Sequence, residues 1–103
     1  MVRYVKVAKL EDLPQGSARE FQADGKLIAL FNVGGTVYAL DNTCLHRGGP
    51  LGQGVLEDKL ITCPWHGWQY DVTTGAVVMN PSICVKQFAV KVEGDDIHVD
   101  VED

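Results

Sequence analysis

The sequence lacks the long apolar segments that would place it in a membrane. No run of about 18 uncharged apolar residues occurs, so a spanning helix is not predicted. The first ten residues alternate valine with arginine and lysine, without the apolar block of about 7–15 residues that marks a secretory signal. We therefore expect a cytoplasmic protein with no membrane partner.

Cysteine is also scarce, and the number is odd. The chain of 103 residues has 3 cysteines. An odd number of cysteines without a secretory signal argues against a disulfide framework and favours metal binding or redox chemistry. The length suffices for one domain but not for two, so we predict a single domain over residues 1–103.

Basic residues are too few for a nucleic-acid-binding surface. Lysine and arginine together number 9 against 14 acidic residues, which gives a formal net charge of −5. No basic stripe is present to neutralise phosphates, so nucleic acid is not expected as a partner. Residues 93–103 hold 6 of the acidic residues and no lysine or arginine. This acidic end is interpreted as a solvated terminus that aids solubility, with docking of a partner as the alternative.

Helical periodicity is absent as well. No segment shows a long 3.6-residue apolar period, so nothing helical is predicted beyond one turn at residues 10–13. Short runs rich in valine, isoleucine, tyrosine and phenylalanine instead predict an all-β fold, a small antiparallel sandwich or barrel. Three pairs of these runs carry hairpin signals. The predicted strands cover residues 2–7, 19–22, 27–33, 36–40, 88–92 and 97–101.

Two segments do not resemble strands, because glycine and proline interrupt them. Residues 42–54 contain four glycines and one proline, and residues 63–67 read CPWHG. Such loops allow the backbone to curl closely around a bound group, since close approach and positive φ are cheapest at glycine. Each segment also contains a cysteine and a histidine, so both are candidates for a shared metal site.

Each of these loops supplies one thiolate and one imidazole. The pairs are Cys44 with His46 and Cys63 with His66. Two thiolates and two imidazoles suit a closed tetrahedral zinc site, but the usual zinc spacing groups cysteine with cysteine and histidine with histidine. One ligand of each kind per loop favours a two-iron cluster whose irons are chemically unequal. A metal centre is therefore predicted, with the two-iron cluster favoured over zinc.

The two motifs resemble the signature of the Rieske proteins, C-x-H followed by C-x-x-H. They read CLHRGGPLGQG and CPWHGWQYDVTTG, and the resemblance covers nearly the whole chain. It implies one [2Fe–2S] cluster, with Cys44 and Cys63 on one iron and His46 and His66 on the other. It also implies an antiparallel β-sandwich in which the two loops form a small cluster-binding subdomain at one tip.

The resemblance implies a third loop, which contains proline and covers the cluster. The candidate is about residues 79–83, where Pro81 lies in an Asn-Pro-Ser sequence, although an ordinary turn proline is the alternative. Trp65 and Trp68 are expected to form an apolar wall around the cluster loops, which would keep water from the inner iron.

Three positions depart from the Rieske proteins of the respiratory and photosynthetic cytochrome complexes. Gly49 and Trp65 stand where those proteins have two cysteines in a disulfide, so that bridge is excluded. Trp68 stands where they have a serine that hydrogen-bonds the cluster and raises its potential. Tyr70 is retained, either as a donor to a cysteine sulfur or as a packed strand aromatic. Rieske potentials span about −150 to +300 mV, and we expect the low end, below about 0 mV.

The number of histidines limits the chemistry that this chain can perform. A ring-hydroxylating oxygenase with a Rieske domain also needs a mononuclear iron, typically held by two histidines and one carboxylate. The chain has 3 histidines, and only His98 remains once the cluster is assigned, so that site cannot be built. His98 itself is expected to be a solvent-facing strand residue, and Cys84 a small apolar packing residue.

The resemblance therefore implies an electron carrier rather than an enzyme in its own right. It would be a soluble one-electron ferredoxin, monomeric when free, that passes electrons from a ferredoxin reductase to a terminal oxygenase. The alternative is a small Rieske subunit of a larger reductase such as assimilatory nitrite reductase. No acidic residue lies between residues 42 and 56, and Arg47 adds positive charge, so a neutral to slightly basic docking face is expected.

Overall fold

Short antiparallel strands make up most of the chain in the computed structural model, which describes residues 3–43, 49–65 and 67–101. In chain order the strands are β1 (Tyr4–Lys9), β2 (Ala18–Ala23), β3 (Lys26–Val33), β4 (Thr36–Asp41), β5 (Val55–Glu57), β6 (Leu60–Thr62), β7 (Gln69–Asp71), β8 (Gln87–Phe88), β9 (Val90–Glu93) and β10 (Asp96–Asp100).

Helical structure in the described ranges is limited to two single 3₁₀ turns. One covers Leu10–Asp12, within the segment that the sequence predicts as a helical turn. The other covers Leu51–Gln53, inside a segment that the sequence predicts only as a loop. Neither is long or apolar enough to cross a bilayer.

The strands form three antiparallel sheets. Their strand orders are β1-β10-β9, β2-β3-β4-β8 and β5-β6-β7. The first two sheets pack against each other, and the third is a small separate sheet that carries one of the predicted metal-binding loops. The predicted all-β architecture is confirmed.

The three predicted hairpins are present, and glycine turns set their geometry. In the β2–β3 turn, Asp24 and Gly25 have φ values of 54° and 77°. In the β3–β4 turn, Gly34 and Gly35 have φ values of 59° and 97°. Two consecutive residues with positive φ are typical of the turns whose twist matches that of the flanking strands. The third hairpin joins β9 to β10.

The predicted single strand over residues 88–92 is wrong, because this segment divides between two sheets. Gln87–Phe88 pairs with β4, whereas Val90–Glu93 pairs with β10. Phe88 and Val90 both pack into the same core on either side of the exposed Ala89, so apolar alternation continues without a break. Alternation reports which face is buried, and it does not show that the strand changes partner.

The sheet β2-β3-β4-β8 packs against other elements on both of its faces, and strand β3 shows this most clearly. Ile28 and Leu30 point into the core between the two larger sheets. Ala29 and Phe31 point the other way, into a second core that also contains residues of the small sheet. A strand that is covered on both faces reads as a continuous apolar run, as here in LIALF. The second core thus fixes the small sheet against the rest of the protein.

Candidate metal centre

Of the four predicted ligands, the structure describes Cys63. The other three, Cys44, His46 and His66, lie outside the described residues, and so does Arg47. Cys63 and the described residues that flank the other ligands define how the two loops meet.

Cys63 directly follows β6 and begins a tight turn. Its backbone N–H donates to the carbonyl oxygen of Trp68 at 2.8 Å, and its carbonyl oxygen accepts from the N–H of Gly67 at 3.1 Å. Gly67 has a φ of 77°, which glycine adopts without a Cβ penalty. Cys63 is 2% exposed and belongs to the second core. The turn therefore buries the predicted ligand at the end of the small sheet.

The two predicted loops meet where Gly49 lies against Cys63 and Trp65. A Cβ added at Gly49 would lie 2.7 Å from Cys63 Sγ, and 3.0 Å from Cγ of the Trp65 ring. Real Cβ atoms essentially never come as close as the first of these distances, so only glycine leaves room for the sulfur. The backbone of the first loop thus packs directly on the thiol and the indole of the second.

Asn42 closes the first loop at its base. Its carbonyl oxygen accepts from the N–H of Leu51 at 2.8 Å, and its side-chain Oδ1 accepts from the N–H of Gly52 at 2.7 Å. A β-bridge between Thr43 and Pro50 adds a further link across the loop. Because Asn42 is 3% exposed, these bonds are shielded from water and hold the two ends of the loop together.

Glu20 connects this closed loop to strand β2. Its Oε2 accepts from Asn42 Nδ2 at 2.5 Å, and its Oε1 accepts from Gln53 Nε2 at 2.8 Å. Neither Glu20 nor Asn42 is among the residues that the sequence predicts for the site. Asparagine at a loop boundary is a weak signal for a side-chain cap. Glu20 lies in a predicted strand, and no local pattern links it to a loop 22 or 33 residues away.

Two further glycines, Gly52 and Gly54, allow the end of the first loop to pack closely against its neighbouring strands. A Cβ at Gly52 would lie 2.5 Å from Glu20 Cγ and 2.9 Å from the backbone nitrogen of Glu20. A Cβ at Gly54 would collide with the carbonyl oxygen of Thr62, the last residue of β6. The end of the first loop is therefore in direct backbone contact with β2 on one side and β6 on the other.

The aromatic residues near Cys63 differ in burial. The side chain of Tyr70 is fully buried in the second core, together with Cys63, so it packs as a strand aromatic, while its role as a donor to a cysteine sulfur stays a prediction. Trp68 packs against the same core, as predicted for an apolar wall. Trp65 touches Gly49 but is 57% exposed, so this half of the predicted wall faces solvent as well as the loop.

The predicted covering loop over residues 79–83 begins next to β7. The N–H of Val78 donates to the carbonyl oxygen of Gln69 at 2.9 Å. Asn80 Oδ1 then accepts from Ser82 Oγ at 2.6 Å, which stabilises the turn around Pro81. The whole segment is exposed. Its position beside Gln69 places it on the small sheet, while its role as a cover stays a prediction.

Asp71 anchors the turn that leads from β7 into this segment. Its Oδ1 accepts from Thr73 N at 2.9 Å and from Thr73 Oγ1 at 2.6 Å, and Lys59 Nζ lies 3.6 Å from Oδ2. Burial acts to raise the pKa of the Asp71 carboxyl, but the hydrogen bonds from Thr73 and the charge of Lys59 outweigh it and lower the pKa. Asp71 is therefore a stabilising carboxylate in its ionised form.

Two minor predictions are wrong. Cys84 is exposed rather than packed, because the segment around it pairs only through an isolated bridge to Ala76 and remains at the surface. His98 is half-buried, and its Nε2 is buried without a hydrogen-bond partner among the described residues. Lys6 and Lys91 stand opposite His98 on the two neighbouring strands, and their long side chains explain why this outward ring is not open to solvent.

The described part of the centre fits a bound metal cluster. Cys63 supplies a buried thiol, the ligand type that iron–sulfur clusters require, and Gly49 lets the backbone of the first loop lie directly against the sulfur. Within the three described ranges, no group of three or more histidine, cysteine or acidic side chains could hold a metal ion elsewhere. The chemistry of the remaining donors, one thiol and two imidazoles, suits the same cluster.

Comparison with known proteins places the chain among small electron carriers. The model of the family described as Rieske [2Fe-2S] domain matches residues 3–89. A curated relative from Pseudomonas aeruginosa, the ferredoxin component of a naphthalene 1,2-dioxygenase system, is 33% identical over 100 residues, which cover 96% of both chains.

Two solved structures are similar over nearly their whole length. The ferredoxin of carbazole 1,9a-dioxygenase from Nocardioides aromaticivorans IC177 has a TM-score of 0.88 and 33% identity, covering 96% of this chain and 98% of that one. A chain from the complex of reduced oxygenase and oxidised ferredoxin in carbazole 1,9a-dioxygenase has a TM-score of 0.87 and 31% identity. It is covered over 94% of its length, against 96% of this chain.

Proposed function

Because the chain belongs to the Rieske [2Fe-2S] domain family, we propose that it carries single electrons from a ferredoxin reductase to a terminal oxygenase. The observation that carries this proposal is the end-to-end match with ferredoxin components, whose length the chain covers at 96% and 98%. These relatives are named as parts of dioxygenase systems, and one similar chain comes from a complex with its oxygenase. The carrier is proposed to be cytoplasmic, and monomeric when free.

One [2Fe–2S] cluster is proposed as the redox group, with Cys44, His46, Cys63 and His66 as its ligands. When bound, it accepts and releases one electron at a time, which is the chemistry that the carrier needs. Support comes from the mixed cysteine and histidine pair in each loop and from the contact of the two loops at Gly49. A mixed pair on each of two touching loops can supply one ligand of each kind from both sides.

The residues around the centre exclude water on one side and leave the other side accessible. Tyr70 and Trp68 pack beneath Cys63 in the second core, which lowers the local polarity around the thiolate. Trp65, which lies against Gly49 of the first loop, is in contrast 57% exposed. An exposed apolar side chain beside the proposed redox centre suits a small interface that forms and separates quickly, as transient redox partners require.

The cluster and its ligands can be tested on the purified chain. Reduction with dithionite should give the electron paramagnetic resonance signal of a mixed-ligand two-iron cluster, and Cys63→Ala should abolish it. A colourless protein that contains zinc and no iron would contradict the proposal.

The role as a carrier needs a second experiment. Chromatography of the native cell extract should show the chain at the volume of a small monomer, and the purified protein should support electron flow from a ferredoxin reductase to an oxygenase. Co-elution with a large reductase would favour the alternative role as a reductase subunit.

A further inference from the structure

We propose that Glu20 is a positioning residue for the metal centre, acting through the loop that carries Cys44 and His46. It lies in β2, outside both ligand loops and outside both ligand motifs. The inference rests on the proposed function, since it concerns the same loop. It adds a residue whose role the ligand motifs do not indicate.

The first observation is that the two carboxylate oxygens of Glu20 hold the two ends of the loop separately. Oε2 accepts from Asn42 Nδ2 before the ligands, and Oε1 accepts from Gln53 Nε2 after them. A carboxylate that accepts two amide hydrogen bonds with different oxygens fixes both donors relative to each other. Glu20 therefore adds a link between the two loop ends, beside the bonds from Leu51 and Gly52 to Asn42.

The second observation is that the loop also rests on the backbone at Glu20. The site of a Cβ on Gly52 lies 2.9 Å from the Glu20 nitrogen and 3.0 Å from the carbonyl carbon of Arg19. Strand β2 is in turn paired with β3 along its whole length, from Ala18 to Ala23. The loop is thus held by polar bonds and by direct packing against a regular sheet.

The third observation links this anchor to the ligand thiol. Asn42, which Glu20 holds, also accepts the N–H of Gly52 and so closes the loop. The same loop places Gly49 directly against Cys63, with no room between them for a side chain. If the hydrogen bonds of Glu20 are weakened, the contact between the first and second loops should therefore change, and the effect should not be limited to strand β2.

The role of Glu20 can be tested by exchanging the side chains at positions 20 and 53, because this changes which groups donate and which accept hydrogen bonds. An ionised glutamate only accepts, and both of its partners here are amide donors. In Glu20→Gln, the amide at position 20 can still accept from Asn42, and the exposed Gln53 amide can turn over to accept from the new NH₂, so both charge-assisted hydrogen bonds become neutral ones. Adding Gln53→Glu restores one charge-assisted hydrogen bond, because the amide at position 20 can then accept from Asn42 and donate to the carboxylate at position 53. The net charge of this double variant equals that of the parent chain.

The experiment compares four forms of the cluster-loaded protein: the parent chain, Glu20→Gln, the double exchange Glu20→Gln with Gln53→Glu, and Gln22→Ala. The last is a control in the same strand with an exposed side chain. The readouts are the rate of iron release to a chelator, the line shape of the paramagnetic resonance signal and the midpoint potential. We expect Glu20→Gln to release iron about tenfold faster, since two hydrogen bonds to a charged group become weaker neutral ones, and to broaden the signal.

The double exchange should bring the rate back towards that of the parent chain and sharpen the signal, because the bond between positions 20 and 53 is again charge-assisted. Gln22→Ala should match the parent in every readout. If Glu20→Gln lowers only the melting temperature and leaves iron release and line shape unchanged, Glu20 has a purely structural role and the inference fails. If the parent chain itself gives no two-iron signal, the proposed function fails instead.

Discussion

Gly49 and Cys63 lie so close that a single added methyl group at Gly49 would sit 2.7 Å from the sulfur. The contact joins the two predicted ligand loops without a disulfide. In the cytochrome-complex Rieske proteins that the motifs resemble, the positions that match Gly49 and Trp65 are cysteines. Here the same two positions touch through a glycine backbone and an indole ring, so packing takes the place of the covalent link.

Gly49→Ala should therefore disturb the centre strongly. Overpacking a close contact costs about 1–3 kcal/mol, so we expect iron release to a chelator to become about tenfold faster or more. Gly94→Ala, in the turn between β9 and β10, is the matched control. It also adds a methyl group, at a glycine with φ 60°, but nothing lies within 4 Å of that Cβ. The control should cost folding stability without changing the rate of iron loss, and equal rates in the two variants would contradict the steric explanation.

Asp71 should make the protein less stable in acid. Its pKa is lowered in the folded state, so its stabilising effect is complete above the pKa of the unfolded chain, near 4, and is lost as the pH falls through the folded value. Asp71→Asn should lower the free energy of unfolding by about 1–2 kcal/mol at neutral pH and by less near pH 3. Urea unfolding at both pH values measures the difference.

Asp58→Asn is the control for the removal of a carboxylate, since Asp58 is exposed and its φ of 57° is tolerated by asparagine. It should change the free energy of unfolding at neutral pH by less than Asp71→Asn does. A difference between parent and Asp71→Asn that stays constant from neutral to acid pH would show that ionised Asp71 does not contribute.

The midpoint potential should lie below about 0 mV, in the lower part of the Rieske range of about −150 to +300 mV. The position of the hydrogen-bonding serine in high-potential relatives is occupied here by Trp68, which packs against the second core. Trp68→Ser should raise the potential if the hydroxyl reaches the cluster. Protein-film voltammetry measures both values, and a parent potential well above 0 mV would contradict the expectation.

Charge reversal at Arg47 should slow electron delivery. No acidic residue lies between residues 42 and 56, so Arg47 gives the loop a positive charge that can guide an acidic partner. Arg47→Glu should reduce the rate of transfer to the oxygenase at low ionic strength, and the difference should shrink as salt is added. Lys9→Glu, on β1, carries the same change of charge and should have little effect. Equal slowing by both variants would indicate a general effect of net charge.

Local signals predicted much of the fold. The turns at Asp24-Gly25 and Gly34-Gly35 need positive φ, and these residue types supply it, so both hairpins could be placed from the sequence. The strands of the small sheet could not, because three residues, as in Val55–Glu57, are too few to show alternation. The division of the segment around Ala89 was missed for a related reason, since its apolar pattern is continuous.

The candidate site also has a part that the sequence predicts and a part that it does not. The ligand motifs are local in sequence, and the family match agrees with the resemblance that they show. The residues that hold the loop are distant from each other, since Glu20 meets Asn42 and Gln53 across 22 and 33 positions. Cys84 and His98 were predicted wrongly from local signals, because residue type indicated burial for Cys84 and strand alternation indicated a solvent-facing side chain for His98.

The double burial of β3 has a consequence for strand register. Moving β3 by one residue along its neighbours would exchange Ile28 and Leu30 with Ala29 and Phe31, and both pairs are apolar. Because apolar side chains stay buried in either register, the hydrophobic effect opposes this slip only through differences in side-chain size. In a sheet with one solvent-exposed face, the same slip would move apolar side chains into water. The two tight turns at the ends of β3 must carry most of the register information. The correct placement of both cores, and of Cys63 with them, thus depends on four residues that lie in neither core.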